Sequence, residues 1–208
     1  MVHRREIDGE EIVLGNQGAL WGNAMTWWDH DTGSIWSQPL GEAILGPRKG
    51  ARLELMPSTL TTWEAWQAAH PETVALAVHA WATDGFHLEN MAVVVDLGAE
   101  AASYRIPPLR DVGVVNDVVA GIEIAVVIDP GDPQRWVVFS RRLDDATVNL
   151  AMTDGLLVDT TSGTVFDPFL GLGRSGLLAD EDLNKLAAFT AFPSDFETFF
   201  PEGRTWPG

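Results

Sequence analysis

The chain of 208 residues contains no cysteine. That excludes disulfides, thiolate-held zinc and iron–sulfur centres. Lysine is nearly as scarce, at Lys49 and Lys185, and 13 basic residues face 30 acidic ones for a formal charge of −17. Nucleic-acid binding needs a basic stripe on which phosphates can settle, and scattered arginines in an acidic chain supply none. No nucleic-acid partner is expected, and the charge reads as a solvated surface that keeps an apolar-rich chain in solution. Long hydrophobic runs are missing too. Apolar residues make up 46% of the chain, but they come in runs of about four to eight, short of the roughly eighteen that cross a bilayer. Residues 1–13 hold charges and no apolar signal segment, so the reading is a soluble, cytoplasmic protein without membrane contact.

What the chain has is tryptophan, nine in all, concentrated around W-W-D-H-D-T-G-S-I-W-S-Q at residues 27–38. An offset of 130 pairs Asp29 with Asp159, Gly33 with Gly163, Leu40 with Leu170, Gly41 with Gly171, Gly46 with Gly176 and Pro71 with Pro201. Trp36 meets Phe166 and Trp66 meets Phe196 in the same register. Glycines and aromatics held in step over some forty residues mark an internal repeat. The expected organisation is one pseudo-symmetric domain over residues 1–208. Residues 1–80 are the C-terminal half of a first repeat, and residues 91–208 a complete second one.

Short β-rich runs separated by glycine and aspartate predict hairpins. Residues 4–8 and 11–14 turn at Asp8-Gly9, and residues 141–150 repeat them. Residues 15–24 read as a loop around Trp21, and residues 25–28 and 34–36 as strands about Gly33, repeated at residues 156–158 and 164–166. Between Pro39 and Pro57 one strand is expected, at residues 52–55. Thr61 with Glu64 is a capping box for a helix carrying Leu60, Trp63, Trp66 and His70 on one face, and Ser194 with Glu197 offers its counterpart unless Pro193 moves the start. Both aromatic faces are expected to cover the sheet. Further strands are read at residues 74–78 and 91–97. Hairpins follow at 93–96 with 101–105 and at 114–119 with 122–128, then a strand at 135–140. The fold class is mainly β (α+β), with antiparallel sheets or a partly closed barrel and two short helices.

The motifs S-I-W-S-Q-P-L-G-E-A-I-L-G-P, L-E-L-M-P-S-T-L-T-T-W-E-A-W and H-P-E-T resemble domain-of-unknown-function family 3179 of prokaryotes. In the second copy V-V-V-D-L-G-A-E-A-A-S-Y, V-V-N-D-V-V-A-G-I-E-I-A-V, F-S-R-R-L-D and F-F-P-E-G-R-T-W resemble it in order. The family is uncharacterised, so the resemblance implies a repeat fold and no activity. Family members carry a C-P-L-C-G-S-like segment where this chain has D-P-G-D-P-Q at residues 129–134. A histidine before V-N-D is replaced by Val112-Gly113, and the family's Y-N-S-D loop reads W-G-N-A at residues 21–24. Any thiol or metal chemistry of the family is thus lost here, and the first copy is shortened at its N-terminus.

No catalytic motif, phosphate loop or regular metal-ligand spacing occurs. Asp29, His30 and Asp31, with His79, Asp84, His87 and Glu89, could donate to a divalent ion, but their spacing is irregular and turn aspartates usually bond their own backbone. No metal and no cofactor are expected. Trp21, Asn23, Trp27, Trp28, Asp29, His30, Trp36, Gln38, Asn116 and Asp117 are the candidate ligand-binding residues. Trp27 and Trp28 point to opposite faces of one strand, so one of them lines a pocket or the sheet is covered on both sides. Asn116 and Asp117 read as a turn or bulge between apolar runs, and Arg141 and Arg142, like Arg4 and Arg5, as makers of surface ion pairs. The expected function is a non-catalytic small-ligand-binding or protein-interaction module. The alternatives are an enzyme acting on a small apolar or aromatic substrate through Asp29, His30 or Asp117, and a subunit of a larger assembly. The half-copy leaves a sheet edge open near residues 4–14, which predicts self-association or a protein partner.

Overall fold

The computed structural model describes residues 1–75, 88–144 and 146–208. Strand outweighs helix, 42% against 12%, which places the chain in the mainly β class. It opens with a two-stranded ribbon, β1 (Glu6–Ile7) and β2 (Glu10–Glu11). A four-stranded sheet follows in sequence order: β3 (Leu14–Trp21), β4 (Ala24–Asp29), β5 (Ile35–Ser37) and β6 (Glu42–Leu45). Helix α1 (Trp63–Ala69) ends this part. Next come β7 (Ala92–Asp96), β8 (Ala101–Arg105), α2 (Ile106–Val112), β9 (Val114–Val119), β10 (Ile122–Ile128) and β11 (Trp136–Ser140). A second ribbon, β12 (Arg142–Leu143) and β13 (Ala146–Thr147), leads into β14 (Leu150–Thr153), β15 (Leu156–Asp159), β16 (Val165–Phe166) and β17 (Gly173–Ser175). The chain closes with β18 (Phe189–Ala191), α3 (Pro193–Phe199) and β19 (Arg204–Thr205).

Two-residue turns with positive φ at both positions match the right-handed twist of paired strands. They recur at Asp8-Gly9, Gly22-Asn23, Ala120-Gly121 and Asp154-Gly155. The local sequence thus sets the hairpin registers, and burial then arranges the sheets. Along β10 alternate residues face opposite sides: Ile124, Val126 and Ile128 join a core with Val93, Val95 and Tyr104, whereas Ala125 and Val127 join Phe139, Leu157 and Phe166. The β11-β10-β9 sheet is therefore packed on both faces, which is why β10 reads as a continuous apolar run. On one side lies the β18-β7-β8-β19 sheet, whose outer face carries Val94, Ala101 and Phe189 against Phe196 of α3. On the other side lies the β14–β17 sheet.

The β3–β6 and β14–β17 sheets have the same strand order and share hydrogen bonds position by position. Arg4 N–H donates to Glu54 O as Ser140 N–H does to Asn184 O; Ile12 N–H donates to Arg5 O as Val148 N–H does to Arg141 O; His30 N–H donates to Val13 O as Thr160 N–H does to Asn149 O. These bonds make Arg5 the counterpart of Arg141, one place along from the pairing of Arg4 with Arg141 that the two double arginines suggest.

Several expectations are corrected. Residues 15–24 are no loop: they lengthen the β3–β4 hairpin, with an irregularity in register between Asn16 and Leu20. The strand expected at residues 52–55 is replaced by β6, and residues 52–55 contribute only the bridges Glu42–Arg52 and His3–Leu55. Among the described residues there are three α-helices, because Pro107 and Pro108 occupy the first turn of α2, where their missing N–H groups forgo no helical bond. Helix α3 begins at Pro193 and buries Phe196 and Phe199 as expected. On α1, however, Trp63 and Trp66 remain over 40% exposed, so that aromatic face covers no sheet among the described residues. Strand β19 pairs parallel to β8, an exception to the antiparallel rule. No sheet closes into a barrel among the described residues. Residues 74 and 75 form no strand; the remainder of that expected strand, with His79, Asp84 and His87, lies outside the described residues.

Glycine is demanded on two counts at Gly171, where φ is +79° and an added Cβ would lie 2.7 Å from the Phe139 ring and 2.8 Å from Leu183 O. Gly163 has a φ of +72° with nothing within 4 Å. Gly163→Ala should cost about 1–2 kcal/mol, for the backbone conformation alone. Gly171→Ala should cost a further ~1–3 kcal/mol of overpacking. Equal shifts in urea unfolding would contradict this account.

Candidate functional site

The densest polar group is built around Asp29, at the end of β4 and fully buried. Its Oδ1 accepts from Thr32 N–H at 2.6 Å and its Oδ2 from Trp36 Nε1 at 2.9 Å, while the Thr32 hydroxyl donates at 2.8 Å and Arg48 Nη1 stands 3.4 Å away. Burial would raise the pKa of this carboxyl, but the bonds from Trp36 and Thr32 and the Arg48 charge hold it below the usual value. Every lone pair is engaged in locking the turn. Asp159 does the same work in the second sheet through Ser162, whose N–H donates at 2.9 Å. Phe166 stands in the place of Trp36 and cannot donate, and there the Asn149 N–H supplies the bond at 2.9 Å. Burial likewise raises and these hydrogen bonds lower the Asp159 pKa, with a net depression.

The tryptophans separate as their alternation requires. Trp36 is fully buried; Trp27 is half-buried against Ile12 and Leu14, with the His3 ring edge-on at 5.7 Å. Trp28 lies on the opposite, exposed face, stacked on His30 at 4.3 Å with 8° between the rings. Trp21 sits at the far end of the long hairpin on Phe199, at 5.1 Å. No single pocket gathers them.

Asn116 and Asp117 occupy the middle of β9, which corrects the reading of a turn or bulge. The Asn116 carboxamide accepts from Leu150 N–H at 3.0 Å and donates to Leu150 O at 2.7 Å, closing the edge of β14. Asp117 Oδ2 accepts from the Tyr104 hydroxyl at 2.7 Å and faces Arg204 Nη1 at 2.9 Å. Burial raises its pKa, but Arg204 and Tyr104 bring it below the ordinary value. The Tyr104 hydroxyl, desolvated and bonded to that carboxylate, is pushed far up. Arg204 also reaches Glu100, so the V-N-D and E-G-R-T-W motifs meet in one network that ties the C-terminal strand to the fold. Arg141 departs from expectation as well. It is buried, and its guanidinium donates to the carbonyls of Ile124 and Val148 and to the Asn149 side chain. Arg4 and Arg5 keep the expected surface ion pairs, with Glu54 and Glu11.

Asn23 and Gln38 line a cleft of about 190 Å³ with Met25, Met91, Phe192 and Asp195. Asp195 carries no sequence signal, being one acidic residue in the first turn of α3. The residue is 8% exposed, and burial raises its pKa against weaker lowering by Asn23 and Ser194. Residues 129–134, where the resembled family has its cysteines, turn between β10 and β11 beside a cavity of about 210 Å³. There Arg135 lies 4.0 Å over the Phe169 ring, 3.9 Å from Asp129. No cluster of three or more metal-donor side chains occurs among the described residues. No helix among them is long and apolar enough to cross a membrane.

Aspartates whose pKa is lowered and the one whose pKa is raised should respond oppositely to pH. Asp29, Asp117 and Asp159 have depressed folded-state pKa values, so the stability they contribute is present above the unfolded value and lost as pH falls through the folded one. Asp195 has a raised value, so its contribution is fully present below the unfolded pKa and declines as pH rises through the folded pKa. At about pH 7, Asp195→Asn should unfold at higher denaturant than the parent chain, and Asp159→Asn at lower; the Asp195→Asn gain should vanish toward about pH 3. A destabilised Asp195→Asn at neutral pH would contradict the assignment.

No curated protein and no solved structure matches the chain. Residues 1–84 match the model of the family described as "Protein of unknown function (DUF3179)", the uncharacterised family that the motifs resemble.

Proposed function

We propose that the chain is a non-catalytic protein-interaction module made of one and a half copies of a repeat, in which the half copy presents a sheet face to a partner. The carrying observation is the unequal cover of counterpart residues. Leu143, Leu150, Leu157 and Arg141 are buried beneath β9–β11, whereas Ile7, Leu14 and Trp27 are only half-buried and Arg5 is exposed. Val2 is 51% exposed and its counterpart Val138 1%. An apolar face covered in one copy and bare in the other is what a docking surface looks like. The catalytic alternative finds little support, because Asp29 and Asp117 are bound up in structural hydrogen bonds. A small-ligand role at the cleft of Asn23, Gln38 and Asp195 is the second reading, favoured by the desolvated carboxyl.

In its own cells at natural abundance, the chain should migrate above the mass of one copy in size-exclusion chromatography. Leu14→Lys should return it to that mass with its denaturant midpoint nearly unchanged, while Leu150→Lys should unfold it. Monomeric migration of the parent chain, or equal damage from the two substitutions, would sink the reading.

A further inference from the structure

Resting on the interaction reading above, we infer that the bare face takes up a β-hairpin presented by a partner protein, added as strands beside residues 1–4 and clamped at Leu14. The second copy shows the chemistry of the occupant. Val2 and Arg4 bond Met56 and Glu54 as Val138 and Ser140 bond Leu186 and Asn184, so residues 1–4 stand where β11 stands. The other edge of β11 pairs with β10, Phe139 opposite Ala125 and Ser140 opposite Ile124. Among the described residues no strand pairs with that edge of residues 1–4. An unpaired edge beside half-buried apolar side chains is the arrangement that strand addition completes.

Two further groups specify the guest. In the second copy Arg141 N–H donates to Glu123 O at 2.9 Å and its Nε to Ile124 O at 3.0 Å, so two successive carbonyls of β10 receive this arginine. Among the described residues the side chain of its counterpart Arg5 pairs with Glu11, at the surface. Leu150 has both backbone groups taken by Asn116 of β9, whereas nothing among the described residues meets the same edge of Leu14. The guest therefore carries a carboxamide on one strand, two carbonyls for Arg5 on the next, and small apolar side chains like Ala125 and Val127 over Ile7 and Leu14. A second copy of this chain fits poorly. Its own β9–β10 hairpin is held in two cores, and two chains of charge −17 repel each other.

The probe is a synthetic peptide of residues 113–129, the β9–β10 hairpin of this chain, titrated into the purified full-length protein. One-to-one binding is expected, with new hydrogen-exchange protection at the His3 and Leu14 amides. Asn116→Ala within the peptide should weaken binding about tenfold, since about 1.4 kcal/mol is lost with the two-bond clamp. Arg5→Ala in the chain should weaken it as well, with unfolding by denaturant unchanged. Peptide protection appearing instead around Leu150, by exchange with the chain's own hairpin, would overturn the inference, as would a dimer of the chain paired through β3. A cellular complex that is lost on Leu14→Lys, combined with no peptide binding, would leave the docking face standing and refute the hairpin as its occupant. Absence of any such complex would remove the underlying reading itself.

Discussion

Burial of the β9–β11 sheet on both faces is the constraint on which the rest of this structure depends. A strand covered on one side can alternate polar and apolar residues, but β10 has apolar contacts on each side and can spare only Glu123, near its start. Two sheets must then be brought to it, one on each side. The chain does this with the β7–β8 hairpin ahead of the sheet and the β14–β17 meander behind it. The buried Arg141 and Tyr104 cannot reach water easily, which is why both are paired, with backbone carbonyls and with a carboxylate. Asn116 takes both backbone groups of Leu150, Arg141 satisfies the carbonyls of Ile124 and Val148, and Tyr104 donates to the Asp117 carboxylate.

The same physics explains which parts of the fold could be read from the sequence. Asp8-Gly9 and Ala120-Gly121 dictate their hairpins locally, so those turns and the flanking strands were legible. The glycines in step at the 130-residue offset answer a local demand: at Gly46 and at Gly176, both with positive φ, an added Cβ would lie 2.7 Å from the Cα of Ser34 and of Thr164. What could not be read depends on distant partners. β18 and β19 are strands only because β7 and β8 offer them edges. Trp63 and Trp66 have the spacing of a buried helix face, but spacing does not say whether a sheet waits beneath it, and for α1 none does among the described residues. The β3 strand was missed because Gly15 and Gly18 suggest a loop, while its pairing is enforced by β4.

The candidate residues show a similar division. Asp29, Asn116 and Asp117 were singled out from the sequence as ligand-binding candidates, and the bonds they make are architectural. Asp29 and Asp117 are spent on turns and ties, and the V-N-D motif holds β14 and β19 in place. Residues with the more unusual environments gave no signal. Asp195 is an ordinary helix-start acid until the tip of a hairpin some 170 residues earlier in the chain is packed over it, with Gly22 close to Thr198 and Trp21 on Phe199. His3 gave none either, and its Nδ1 is buried without a partner while Nε2 meets Gln38 O at 3.0 Å. Sequence reports the demands of a turn; it does not report which surfaces a distant segment will desolvate.

The substitutions between matched positions show where the two sheets have come under different demands. Trp36 and Phe166 fill the same buried place, yet the carboxylate beneath one takes its bond from an indole and beneath the other from a backbone amide. The turn survives because the bond is kept while its donor changes. At the face toward β9–β11 no such compensation occurs. His3 takes the place of Phe139 and Trp27 that of Leu157, both side chains with a polar group on a largely apolar body, while the buried Arg141 is matched by an Arg5 that is exposed. Side chains of that kind suit a surface that is covered at some times and solvated at others. They are poorly suited to a permanent core, where an aliphatic residue packs without a polar end to satisfy. The two sheets thus agree in the residues that shape the turn and differ in those on the face that β9–β11 covers in the second.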